Sequence, residues 1–144
     1  MAVTAKWYGK LLNTLWTGGV NFTSDTIKGA LVTSSYTFDQ DTHDYFDDIT
    51  NEVTGTGYTA GGATLASKTL TYTAGTNTIA IDAADLAWTT STITARGLVI
   101  YKSTGTGSTS PLIGFIDFGA DVISTAGTFT VTFDAGGIGT FAVS

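Results

Sequence analysis

The chain holds 144 residues, 42% hydrophobic, 12% aromatic and only 12% charged, with a formal net charge of -6 and no cysteine. That length fits one domain with room for a core, and the missing cysteine excludes disulfides and thiolate chemistry. Six Lys and Arg scattered singly in an acidic chain exclude an electrostatic nucleic-acid footprint, and no apolar run reaches the roughly 18 residues that span a membrane.

Threonine fills about a fifth of the positions, and 18 glycines stand against a single proline. Threonine is β-branched and suits a pleated surface, while glycine at this density supplies turns and bulges. The chain therefore reads as β-rich, with a surface kept wet by hydroxyls rather than ions.

In chain order, the first segment reads as a helix over residues 1–17. Val3, Trp7, Leu11 and Leu15 form one i,i+4 row, with Tyr8, Leu12 and Trp16 beside it and Lys6, Lys10 and Asn13 opposite. Gly18-Gly19 is its stop. No contiguous apolar stretch resembles a signal peptide, so none is expected. The apolar face has two uses: closing the open side of a sheet, or docking two tryptophans onto a neighbouring subunit.

Thr26–Thr33 predicts a strand, and Tyr36–Asp48 a polar and aromatic loop carrying the single histidine. Six of the twelve acidic residues fall between Asp39 and Glu52. The glycine-rich run that follows, VTGTGYTAGGAT, reads best as loop with room for short pairing. Lys68–Thr73 alternates, AGTN turns the chain, and Ile79 and Ile81 resume the alternation, which predicts a hairpin. Asp82–Trp88 reads as a helical turn or connector. Thr92–Lys102 predicts a long strand, apolar on both faces from Leu98 to Tyr101 and hence central. Thr104–Ser110 is a Gly/Ser/Thr loop, Leu112–Phe118 a strand, and Phe129, Val131 and Phe133 alternate with threonines. Asp134–Gly137 turns into a last strand ending at Val143.

The expected fold is mainly β: an antiparallel β-sandwich or partly open barrel of seven to eight strands with one N-terminal α-helix. A single domain is expected over 1–144, with the sandwich over 26–143.

No motif in the chain specifies catalysis. Asp39, Asp41, Asp44, Asp47 and Asp48 crowd one loop with His43, but the spacing lacks the glycine and the closing glutamate of a calcium loop. This reads as a solvated or partner-contacting loop. Gly55–Ala60, GTGYTA, matches a dinucleotide-binding pattern in letters only, since no helical run follows it. His43 has neither a second histidine nor a cysteine to share a transition metal, and no G-x-S-x-G nucleophile elbow occurs. Trp88, Tyr58 and Tyr72 suit either sugar stacking or core packing. No enzyme activity, metal or cofactor is expected.

Several blocks, AVTAKWYGKLLNTLW, DTIKGALVTSSYTFDQDTHDYFDD, NEVTGTGYTAGGATLASKTLTY, DLAWTTSTITARGLVIYK and SPLIGFIDFG, resemble a family of small virion structural proteins of tailed bacteriophages and prophages. The likeness covers nearly the whole chain and brings no active-site motif. It implies a component of the virion, made in the host cytoplasm and bound as a capsid decoration (cement) protein outside the major capsid shell. A small tail or head-tail component (tube, fibre or adaptor) is the rival role, and a carbohydrate-binding host-adhesion module stands as the other class.

The implied partners are the major capsid protein and copies of the chain itself in a symmetric oligomer such as a trimer, with no nucleic acid and no membrane. The expected contact residues lie in the N-terminal segment and the acidic loop: Trp7, Trp16, Tyr36, Phe38, Asp44, Tyr45 and Phe46, aromatic anchors beside carboxylates.

Overall fold

A computed structural model describes residues 2–143; Met1 and Ser144, the outermost positions of the expected domain, lie outside the described residues. The elements are β1 (Thr4–Trp7), α1 (Leu11–Trp16), β2 (Ile27–Val32), β3 (Ala63–Thr64), β4 (Thr69–Thr73), β5 (Thr78–Asp82), β6 (Leu86–Lys102), β7 (Leu112–Val131) and β8 (Gly139–Ala142). Short 3-10 turns stand at Phe46–Asp48 and Gly107–Thr109. A five-stranded antiparallel sheet in the order β1-β7-β6-β2-β3 faces a three-stranded sheet in the order β4-β5-β8, and the two do not close into a barrel.

The β6–β7 hairpin is the spine. Leu98 and Ile100 point into a core shared with Ile81 of β5, Ile138 and the half-buried Phe141 of β8. Val99 and Tyr101 point the other way, into a second core with Tyr8, Tyr36, Leu112 and Phe115. This period-2 division of a continuous apolar run is what a strand buried on both faces requires. The covering layer on the second face is the Tyr36–Ile49 loop rather than a sheet, through Tyr36, Phe38, Phe46 and Ile49.

The expected helix over 1–17 is corrected at its first half. Thr4–Trp7 is a strand, paired antiparallel with β7 from Thr4 opposite Asp117 to Trp7 opposite Gly114. Val3, Ala5 and Trp7 fit an i,i+2 row as well as Val3 and Trp7 fit an i,i+4 row, and a short isolated helix is marginal. The open edge of β7 therefore decides the matter by satisfying the backbone of this segment. The chain then turns where the Gly9 N–H donates to the Gln40 carbonyl at 2.9 Å. A Cβ on Gly9 would lie 2.9 Å from that same oxygen. Six helical residues remain, and Gly18 at φ +74° ends them as expected.

Of the helical turn or connector expected over Asp82–Trp88, only residues 83–85 connect, because Asp82 ends β5 and Leu86 begins β6. Leu86 and Trp88 are buried on either side of exposed Ala87 and open β6 directly. The two strands expected at Leu112–Phe118 and Phe129–Phe133 are one strand, β7, with Phe133 just beyond its end. A register shift between Ala95 and Gly97 of β6 leaves Phe118–Asp121 of β7 as a bulge. There Asp117 accepts the N–H of Gly119, at φ +81°, and an ion pair from Arg96 at 2.8 Å. Its polar GAD stretch hides the continuity of the strand from a reading of alternation.

Candidate interaction surface

The expected contact residues divide into engaged and free groups. Trp7 ends β1 half-buried and stacks on Phe141 of β8, with centroids 4.5 Å apart. Tyr36 is buried, its hydroxyl 2.8 Å from that of Tyr8 and 3.0 Å from His43 Nδ1. Burial pushes both tyrosine hydroxyls above their ordinary range, Tyr8 furthest. Phe38 stacks on Phe115 at 5.6 Å and leans on Tyr8 at 5.0 Å, with the Lys6 ammonium 5.1 Å over its ring. Phe46 stacks on Tyr101 at 4.0 Å. All four rings belong to the fold.

The carboxylates of the loop are largely its own scaffolding. Asp39 Oδ1 accepts the N–H groups of Asp41 and Thr42, both at 3.0 Å, and these hold it below the usual carboxylate range. Burial alone would raise Asp48, but the N–H groups of Asp44 and Tyr45, donated to its Oδ2, outweigh that and lower it. Asp44 pairs with Lys10, which ties the loop to the start of α1. Among the described residues no group of three His, Asp or Glu stands close enough to hold a metal ion.

Two of the seven remain available. Trp16 is 88% exposed at the end of α1, with Leu12 and Leu15 exposed beside it and only Leu11 turned into the core. Tyr45 is 41% exposed, its backbone anchored by a bridge to Pro111.

Other exposed apolar side chains escape a reading of pattern. Leu70 and Tyr72 share one face of β4, where all five residues are exposed, and Val122 and Ile123 are exposed on β7. Leu70 and Tyr72 alternate as in ordinary strands, and nothing local marks which face lacks a cover. Of the aromatics suited to sugars, Trp88 is buried against Phe129 and Tyr58 donates its hydroxyl to Glu52, while Tyr72 is exposed with its hydroxyl donated to Asn77 at 3.0 Å.

No family model, curated protein or solved structure matches the chain.

Proposed function

We propose that this is a non-enzymatic virion structural protein of a tailed bacteriophage, a capsid decoration protein that binds the outside of the major capsid shell and stabilises it. The observation that carries the reading is Trp16, a large ring left 88% in water on a helix whose neighbours Leu12 and Leu15 are also exposed. Isolated tryptophans of this kind are the usual anchors of protein contacts. The resemblance of the sequence blocks to small virion proteins supplies the setting.

Whatever binds the assembled lattice but not its dispersed parts shifts the equilibrium toward the intact particle. Copies on a symmetric shell multiply modest contacts through avidity. A rigid two-sheet domain loses little ordering entropy when it docks. A sugar-binding module would array several aromatics together, whereas Tyr72 and Trp16 stand on separate elements, β4 and α1.

Cryo-electron microscopy of the purified particle tests the proposal. Density for this fold on the outer shell, lost when Trp16→Ala protein is supplied instead, is the expected result. Density on the tail transfers the protein to the rival role, and a particle lacking the chain overturns the reading.

A further inference from the structure

A concave surface lies where β7 parts from β1. The β1 ladder ends with Thr4 opposite Asp117, and among the described residues β7 pairs from Val122 to Val131 with β6 alone. One row of its backbone N–H and C=O groups therefore has no strand beside it. Alongside opens a groove of about 790 Å³, its walls formed by Val3, Ile116, Phe118, Phe129, Val131 and Ile138.

Asp134 is the single charged residue among those lining this groove, and the exposed Asp121 precedes the lining residue Val122 in the chain. Neither takes part in the ion pairs of the described residues, which join Lys10 to Asp44, Arg96 to Asp117 and Lys102 to Asp25. An apolar trough beside an open ladder edge, lined by one carboxylate without a cation and with a second next to Val122 in the chain, matches one kind of occupant.

We infer that the groove takes an extended apolar segment of a different protein, flanked by Lys or Arg, which adds to β7 as a strand in line with β1. Main-chain hydrogen bonds would hold it, alternate side chains would fill the trough, and its cations would meet Asp121 and Asp134. A second copy of this chain fits less well. A two-fold contact through the same face would set these aspartates against one another, between molecules of net charge -6. A small apolar ligand would leave the open ladder edge unmatched. The inference rests on the structural-protein reading and deepens it, by naming a docking surface and the chemistry of the partner.

The test titrates two synthetic peptides, acetyl-KVTVTFTK-amide and acetyl-EVTVTFTE-amide, into the whole chain and follows backbone amides by NMR. The lysine peptide is expected to shift the amides of residues 122–131 and to bind about tenfold more tightly than the glutamate peptide. Its affinity should fall severalfold as salt rises from about 0.05 to 0.5 M, and fall again in an Asp121→Asn, Asp134→Asn variant. Val122→Lys, at a part-exposed position, should abolish binding while leaving the remaining spectrum folded.

No shift at millimolar peptide, shifts confined to other surfaces, or equal binding of the two peptides would overturn the inference. So would dimerisation of the chain through residues 122–131 without any peptide. The particle separates this failure from that of the functional reading. A Val122→Lys chain that still decorates the shell defeats the groove alone, and a chain absent from the particle that binds the lysine peptide defeats the virion role alone.

Discussion

Trp7 lies against Phe141 with ring planes only 22° apart, so the outer strand of the five-stranded sheet is clasped to the outer strand of the three-stranded one. Gly139 makes room for this stack, because a Cβ there would overlap the Trp7 ring edge at Cζ2. Truncating this half-buried ring, Trp7→Ala, should cost about 2–3 kcal/mol, less than the ~3–5 of a fully buried tryptophan. Gly139→Ala should cost about 1–3 kcal/mol by overpacking. The two should be non-additive, since removing the ring frees the space that the methyl group needs. Urea denaturation of the four-member cycle reads this directly.

Trp16 is the control for that pair. Trp16→Ala removes a ring that the fold hardly touches, so its urea midpoint should stay within the ~0.5 kcal/mol usual for surface changes. Under the proposed decoration role, occupancy on the particle should fall nonetheless. A stability loss equal to that of Trp7→Ala would assign Trp16 to the fold instead.

Tyr58, within the Gly55–Gly62 loop, donates its hydroxyl to Glu52 Oε1 at 2.7 Å and accepts the Leu31 N–H at 2.9 Å. Glu52 Oε1 also accepts the Gly61 N–H at 2.6 Å. In Tyr58→Phe the Leu31 N–H in the middle of β2 loses its side-chain acceptor and the carboxylate loses a donor. The expected cost is about 1–3 kcal/mol, read as a lower urea midpoint at unchanged slope. Leu31 amide exchange should quicken in the same variant.

Stability should change with pH at both ends, for different groups. Asp48 and Asp39 have folded pKa values below their unfolded ones, so the unfolded chain binds more protons as the solution acidifies. The contribution is complete above the unfolded value near ~3.9 and is lost as pH falls through the folded values. Asp25 and Asp117 act in the same direction. Urea midpoints should hold steady from about pH 7 to 5 and then drop, and Asp48→Asn should flatten the drop in part.

At the alkaline end the sign reverses. Burial raises Tyr8, Tyr36 and Tyr58, and lifts Tyr101 to about 12. Their contribution is complete below the unfolded value near ~10 and is lost as pH rises through the folded values. Tyrosinate absorbance should therefore show these groups ionising late and together with unfolding.

The hairpins were readable because a period of two is written in neighbouring residues. The alternation from Lys68 to Ile81 and the both-faced run Leu98–Tyr101 announce a hairpin and a central strand without any knowledge of partners. The N-terminal segment was not, because Val3–Trp7 satisfies two periods at once and the choice belongs to β7, more than a hundred residues away. The β7 bulge at Phe118–Asp121 misled for a related reason: the break in alternation is a local kink in a strand that pairing with β6 keeps whole.

The sequence alone determined the class of this protein: β-rich and antiparallel, with glycine and threonine shaping its turns and hydroxyls its surface. Those properties follow from side-chain period and backbone freedom, which act over a few residues. Only the tertiary structure decided which aromatics are available to a partner. Tyr36, Phe38 and Phe46 share one loop with Tyr45, yet the first three are taken up by Phe115, Tyr8 and Tyr101, and Tyr45 is left part-exposed. Exposure depends on what a distant element brings to the opposite face, and no reading of neighbours along the chain contains it.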